Sequence, residues 1–200
     1  MNILAVDTSY NKLVVAVFSE GNVASKIVSE GMKKNNSLVL PTIDEVLNKL
    51  NLNIADIDYY ACVVGPGSFT GVRIGVSTLN AFEQVFNKKL VSITALEVLA
   101  YGIHADKFMT SIDARHENYY SAIFSGDFTN NIEYLCNTKA DLDNFDGKVV
   151  IEDKDNYNID ALIEIAKHKI NKGEFVDVLK PLYMKDSQAE REYKEKHKND

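Results

Sequence analysis

Positive charge is short in this sequence: 22 Lys and Arg stand against 29 Asp and Glu, a formal charge of −7 over 200 residues. A chain charged this way is not built to grip a phosphate backbone alone, so any nucleic acid would have to be held by something else. Cysteine is nearly missing, with Cys62 inside an apolar run and Cys136 far from it in sequence. Two thiols so placed make no disulfide framework, and a reducing cytoplasm suits both. No apolar run reaches the length of a membrane span. Asp7 interrupts the first apolar run and no basic flank precedes it, which is unlike a signal peptide. The four histidines (His104, His116, His168 and His197) include no pair at i, i+4, so no metal site is expected. No serine or cysteine with a histidine base declares itself as a nucleophile, and no catalytic residue is assigned.

What the chain does have is one unusual run, Gly65-Pro66-Gly67-Ser68-Phe69-Thr70-Gly71-Val72-Arg73-Ile74-Gly75. The apolar residues 59–64 before it read as a buried strand. Val72, Val76, Leu79 and Phe86 recur behind it at helical spacing. The run is therefore a strand, a glycine turn and a helix start, with Ser68 or Thr70 as the cap. Free N–H groups at such a start can hold an anion, or the turn is simply a tight connection. No lysine follows the last glycine, so it is not a P-loop. Gly71 and Gly75, four apart, leave one helix face thin for another helix to approach. Arg73 lies where the helix dipole disfavours a cation, so it needs an acidic partner in a cleft or on another chain.

Around this run the pattern is regular. Strands are expected at 3–6, 13–18 and 23–28, then a helix carrying Leu40, Ile43, Val46, Leu47 and Leu50 on one stripe. Asn36 or Ser37 is its expected cap, with Pro41 near the first turn. A strand at 90–93 and a helix at 96–103, capped by Thr94, complete an order β-β-β-α-β-α-β-α. The pattern then restarts: setting Asp113 over Asp7 also superposes Ala122 on Ala16, Phe124 on Phe18 and Ser125 on Ser19, as a duplicated lobe would. The second half is trimmed, with strands at 108–112, 119–124, 132–135 and 149–151 and one helix at 159–170. It has no second glycine turn. The expected division is a first lobe at 1–104, a smaller second lobe at 105–186 and a charged tail at 187–200. With 46% hydrophobic residues, the chain can bury one good core or two small ones.

The run G-P-G-S-F-T-G-V-R-I-G resembles the signature of the TsaB (YeaZ) family, supported by Ile3-Leu4-Ala5-Val6-Asp7-Thr8-Ser9 at the start and Pro181-Leu182-Tyr183-Met184-Lys185 near the end. The resemblance implies a two-lobed actin-like (ASKHA, ribonuclease H-like) α/β fold with duplicated lobes. It also implies an accessory subunit of tRNA threonylcarbamoyladenosine (t6A) formation, which binds and activates a catalytic TsaD homologue. Implied partners are that homologue, in a heterodimer, and a TsaE-type ATPase. A homodimer is implied for the chain alone, with tRNA held only through the complex and no membrane. Where the family often has a histidine ahead of its Ser-x-x-Leu-x-Pro stretch, this chain has Asn36, and the paired histidines of TsaD-type metal sites are missing.

Two alternatives belong to other classes: a small actin-like ATPase or kinase, and a metallopeptidase (glycoprotease) suggested only by older family naming. For the kinase, Asp7, Thr8 and Ser9 with Gly65, Gly67 and Ser68 form a degenerate phosphate site. Ser9 replaces the glycine such a loop uses, and Asp7 can equally be organising its own turn. No cofactor of its own is expected beyond weak ATP, with a dissociation constant of about a millimolar or worse. Arg115, in the second lobe's counterpart turn, is read as either an interlobe salt bridge or a phosphate or RNA contact. Gly71, Gly75, Thr78 and Phe82 are expected to face a partner helix, with Arg73, Leu40 and Leu47 at the same contact.

Overall fold

A computed structural model describes residues 1–10, 12–29, 32–153 and 156–184, the side chains of 32–36 excepted. The 187–200 tail and the side chain of Asn36 lie outside the described residues. Two mixed sheets carry the chain. In the first, β1 (Asn2–Asp7), β2 (Leu13–Ser19) and β3 (Asn22–Val28) form an antiparallel meander, while β4 (Tyr59–Val63) and β5 (Lys89–Ile93) add in parallel beyond β1, in the order β3-β2-β1-β4-β5. The second repeats the scheme with one strand fewer: β6 (Ala105–Asp113), β7 (Asn118–Gly126), β8 (Asn131–Thr138) and β9 (Lys148–Ile151), ordered β8-β7-β6-β9 with β9 parallel to β6. β1 is central and buried on both faces, which is why it reads as an unbroken apolar run and not as an alternation.

Two cores result. On the outer side of the first sheet, Leu4, Val6, Val15 and Val17 meet α1 (Met32–Asn48) and α2 (Phe69–Phe86) through Ile43, Val46, Val72, Val76 and Leu79. Between the sheets lie α3 (Ala95–Ala100) and α5 (Ile159–Lys172), joined to Ile3, Ala5, Phe108 and Phe124 in a core shared by both halves. The helices are exchanged: α3 follows the first sheet in sequence yet packs on β6, β7 and β9, while α5 follows the second and packs on β1, β2 and β5. A short α4 (Lys139–Asp143), capped by Thr138, is an element the sequence pattern does not disclose.

Three expectations need correction. α1 begins at Met32 rather than after a cap at Asn36 or Ser37, so Pro41 lies inside the helix. There it removes one i→i−4 donor, on the exposed side of the helix. Residues 176–183, assigned by sequence to the second lobe, pack on the first, while the Met184 carbonyl accepts from Cys136 of β8. Val176 bridges Leu90, and the Leu182 N–H donates to the Val64 carbonyl at 2.7 Å. Asn80 holds both backbone groups of Leu179, donating to its carbonyl at 3.0 Å and accepting from its N–H at 2.9 Å.

The third correction concerns the repeat. Asp7 pairs with Val14, and in the second sheet the residue paired in the equivalent way is Ile112, opposite Tyr120. The β6–β7 turn is one residue shorter than the β1–β2 turn, so Asp113 pairs with Tyr119. Side chains alternate with period two, and a slip of one residue changes the face. Asp7 therefore faces the space between the sheets, as Ile3 and Ala5 do. Ile112 does so in the second lobe, while Asp113 is exposed.

Candidate functional site

The glycine turn is held by the β1–β2 turn pressed against it. Ser68 caps α2, its Oγ accepting from the Gly71 N–H at 3.1 Å. The Ser68 N–H itself donates to the Ser9 carbonyl at 2.7 Å. Thr8 works twice: its Oγ1 donates to the Gly71 carbonyl at 2.6 Å and accepts from the Gly75 N–H at 3.0 Å. A β-carbon at Gly67 would land on the Ser9 carbonyl, and one at Gly71 on the Thr8 carbonyl. At Gly75 it would come within 2.6 Å of Thr8 Oγ1 and 3.3 Å of Cys62 Sγ. Gly65 has φ +111°, a conformation that side chains penalise, and its carbonyl accepts from the Ala95 N–H at 2.9 Å. Two of the N–H groups with which such a turn could cradle a phosphate, those of Ser68 and Gly71, are thus engaged by Ser9 and Ser68.

These contacts correct the expectation for the glycines. Gly71 and Gly75 are buried against Thr8, inside the lobe, and do not form an outward-facing stripe. Phe82 is half-buried, with its ring centroid 5.8 Å from Tyr60 and 6.4 Å from Phe86. Leu47 belongs to the outer core, and Thr78 is half-buried. A thin helix face admits whatever fits closely, and here that is a turn of the same chain. Leu40, by contrast, is 54% exposed on α1, and Val85, which the sequence reading passed over, is 73% exposed on α2.

Arg73 finds aromatic partners where acids were expected. Its Nε donates to the Tyr183 hydroxyl at 2.7 Å, and its guanidinium carbon sits 4.0 Å from the Phe69 ring centroid. Phe69 and Tyr183 stack at 4.4 Å, so the last described segment is fastened to the first turns of α2 by a cation–π stack. Arg115 lies exposed in a turn at φ +64°, and the interlobe bridge expected of it is not found among the described residues.

Asp7 is 2% exposed. Its Oδ1 accepts from the Ser9 N–H at 2.7 Å and the Ser9 hydroxyl at 2.6 Å, and its Oδ2 accepts from the Tyr157 hydroxyl at 2.8 Å. Burial pushes the Asp7 carboxyl above the usual range, outweighing these bonds to its charged form. Tyr157, from the β9–α5 connection, thus takes the carboxylate oxygen that Ser9 leaves open. Beside them is an interlobe cleft of about 140 Å³ lined by Tyr10, Tyr101, Ile112, Glu152 and Asp153 among others. No lysine or arginine is among its described lining residues. Burial first, then the nearby carboxylates of Glu152 and Asp153, push the Tyr10 hydroxyl up. A wall of this charge opposes a triphosphate.

Among the described residues no cluster of three His, Cys, Asp or Glu side chains could hold a metal ion. Cys62 is buried, and burial raises its thiol, so it is not a reactive group. No described helix is long and apolar enough to cross a membrane. Sequence reasoning missed Tyr157, Tyr183 and the double role of Thr8. The Pro181-Leu182-Tyr183 motif was the one available signal for the second of these.

Residues 29–138, more than half of the chain, match the family model described as TsaD: tRNA N6-adenosine threonylcarbamoyltransferase. The Bacillus subtilis (strain 168) tRNA threonylcarbamoyladenosine biosynthesis protein TsaB is 33% identical over 127 residues, 62% of this chain and 55% of that protein. The Escherichia coli (strain K12) protein of the same description is 29% identical over 131 residues, 64% of this chain and 56% of its own. In these alignments the chain spans about half the length of the curated relatives it matches. Among solved structures, YeaZ from Pseudomonas aeruginosa superposes with a TM-score of 0.74 at 21% identity, covering 92% of this chain and 99% of that one. The fold is accordingly the two-lobed actin-like one. The chain belongs to the TsaD-type family and, within it, to the TsaB (YeaZ) proteins.

Proposed function

We propose that this chain is an accessory subunit of tRNA threonylcarbamoyladenosine formation, binding and activating a catalytic TsaD homologue and carrying no catalytic group of its own. The observation that carries the reading is the filled phosphate site. The Ser9 carbonyl takes the Ser68 N–H, the Ser68 hydroxyl takes the Gly71 N–H, Thr8 is pressed between Gly71 and Gly75, and Tyr157 donates to the second oxygen of Asp7. An actin-like core whose ligand positions are occupied by its own side chains is suited to holding another protein. ATP then binds weakly, at about a millimolar or worse, and a TsaE-type ATPase is the partner that handles nucleotide. The formal charge of −7 leaves tRNA to the complex and not to this chain.

The contact face is the outer surface of the α1–α2 layer, where Leu40 and Val85 are exposed and the Arg73 stack rims one end. Without the homologue, the same face serves an isologous homodimer. In sedimentation velocity, mixing the chain with a TsaD homologue should give a one-to-one complex. Leu40→Asp should weaken it by about 2 kcal/mol while the chain stays folded, as loss of a buried apolar anchor does. Two species sedimenting independently would overturn the reading, and an unaffected complex with Leu40→Asp would move the contact to another face.

A further inference from the structure

α5 follows the second sheet in sequence, but both its ends are tied to the first lobe. At its start, Tyr157 donates to Asp7 across the cleft, one residue before the cap Asn158, whose side chain accepts from the Ala161 N–H at 3.0 Å. Near its end, Lys169 donates to the Ser92 carbonyl of β5 at 2.8 Å and pairs with Glu97 of α3 at 2.7 Å, the two side chains 15% and 12% exposed. Glu97 is itself fixed, accepting from the Thr94 N–H at 2.6 Å in the capping box of α3. Between the two ties, Leu162, Ile165 and Ala166 are fully buried in the shared core. α3 answers in the other direction, its Leu96 carbonyl accepting from Thr110 of β6 at 3.1 Å.

Lobes joined by a small polar interface are expected to move against each other, whereas a large apolar interface removes that freedom. Here each half has placed a helix under the other's sheet. We infer that α5 is a clasp, fastened by Tyr157 at one end and Lys169 at the other, which holds the two sheets as one rigid body and keeps the cleft from opening and closing. Phosphoryl transfer in a two-lobed protein uses such closure to shut out water and complete the site, and the clasp forgoes it. The inference stands apart from the partner reading, since a chain that bound no TsaD homologue could still be clasped.

Spin labels at Asn22→Cys and Ile132→Cys, on the edge strands of the two sheets, report the lobe separation by pulsed electron paramagnetic resonance. The background is Cys136→Ser, and the buried Cys62 stays unlabelled. The full chain should give one narrow distance distribution, unchanged by millimolar ATP and Mg²⁺. Tyr157→Phe and Lys169→Met should each raise amide hydrogen exchange about tenfold at their own end of α5, the scale of one lost hydrogen bond, and the double variant should broaden the distance distribution. A distribution that is broad in the parent or shifted by nucleotide would overturn the clasp, as would single variants with unchanged exchange. If the double variant does not fold, the parent distribution and the single variants decide.

Discussion

Two aspartate turns of this molecule make the same local bond and differ in everything else. Asp7 accepts from the N–H two residues on at 2.7 Å, and Asp113 does the same at 2.7 Å from Arg115. Asp7 is buried, faces the other lobe and is covered by Tyr157, while Asp113 is exposed at the rim of its sheet. The difference comes from one residue in the length of the following turn, which shifts the pairing and hands the inward position to Ile112. The lesson is that a repeated motif does not carry a repeated site. The second lobe keeps the shape of the first and loses the cleft carboxylate, and the connection after β9 brings Glu152 and Asp153 where the first lobe has glycines.

The two lobes should differ most at their glycines. Gly71→Leu drives its side chain into the Thr8 carbonyl, which cannot move without lifting the whole β1–β2 turn. Urea unfolding should show a loss of about 3 kcal/mol, the upper range for overpacking. In the second lobe, a β-carbon at Gly126 meets nothing within 4 Å, although its φ is +80°. Gly126→Ala should then cost about 1 kcal/mol, from the backbone conformation alone. Equal losses at the two positions would mean that the turn is not seated on α2.

Thr8→Val keeps the shape and removes both hydrogen bonds to α2. It takes the hydroxyl away from the Gly71 carbonyl and the Gly75 N–H and costs about 2 kcal/mol by the same measurement. A neutral result would show that the threonine only fills space.

The aspartates themselves sharpen the contrast through pH. The Asp7 carboxyl titrates higher in the folded chain than in the unfolded one, where it stays near 3.8, because burial disfavours its charge. The stability this provides is complete below 3.8 and is lost as pH rises through the folded value. Asp7→Asn should therefore gain on the parent chain as pH rises from 3 to 7 in thermal melts. Asp113→Asn, at an exposed turn, should change stability by no more than about 0.5 kcal/mol at pH 7. A parent chain that outlasts Asp7→Asn by more at pH 7 than at pH 3 would mean that the ionised carboxylate is the stabilised form.

Much of this was legible in the residues. The order of strands and helices follows from apolar periodicity and turn residues, and Thr94 announced its helix by capping it. The long contiguous run from Gly65 to Gly75 pointed to the family. Other features were not legible, each for a physical reason. Glycines four apart reveal a thin helix face but not the Thr8 turn that fills it. A one-residue slip between the repeats hides in a turn length that fixes no register by itself. The polar start of α1 resembles a loop until the helix beyond it is seen to be continuous. Tyr157 lies 150 residues from Asp7, and no local pattern joins them.

The central claim is that the chain fills its own phosphate site, and isothermal titration of the purified chain with ATP and Mg²⁺ tests it most directly. The account predicts no saturable heat below about a millimolar. A micromolar dissociation constant with one site per chain would contradict it, because ATP would then have displaced Tyr157 from Asp7 and Ser9 from the glycine turn.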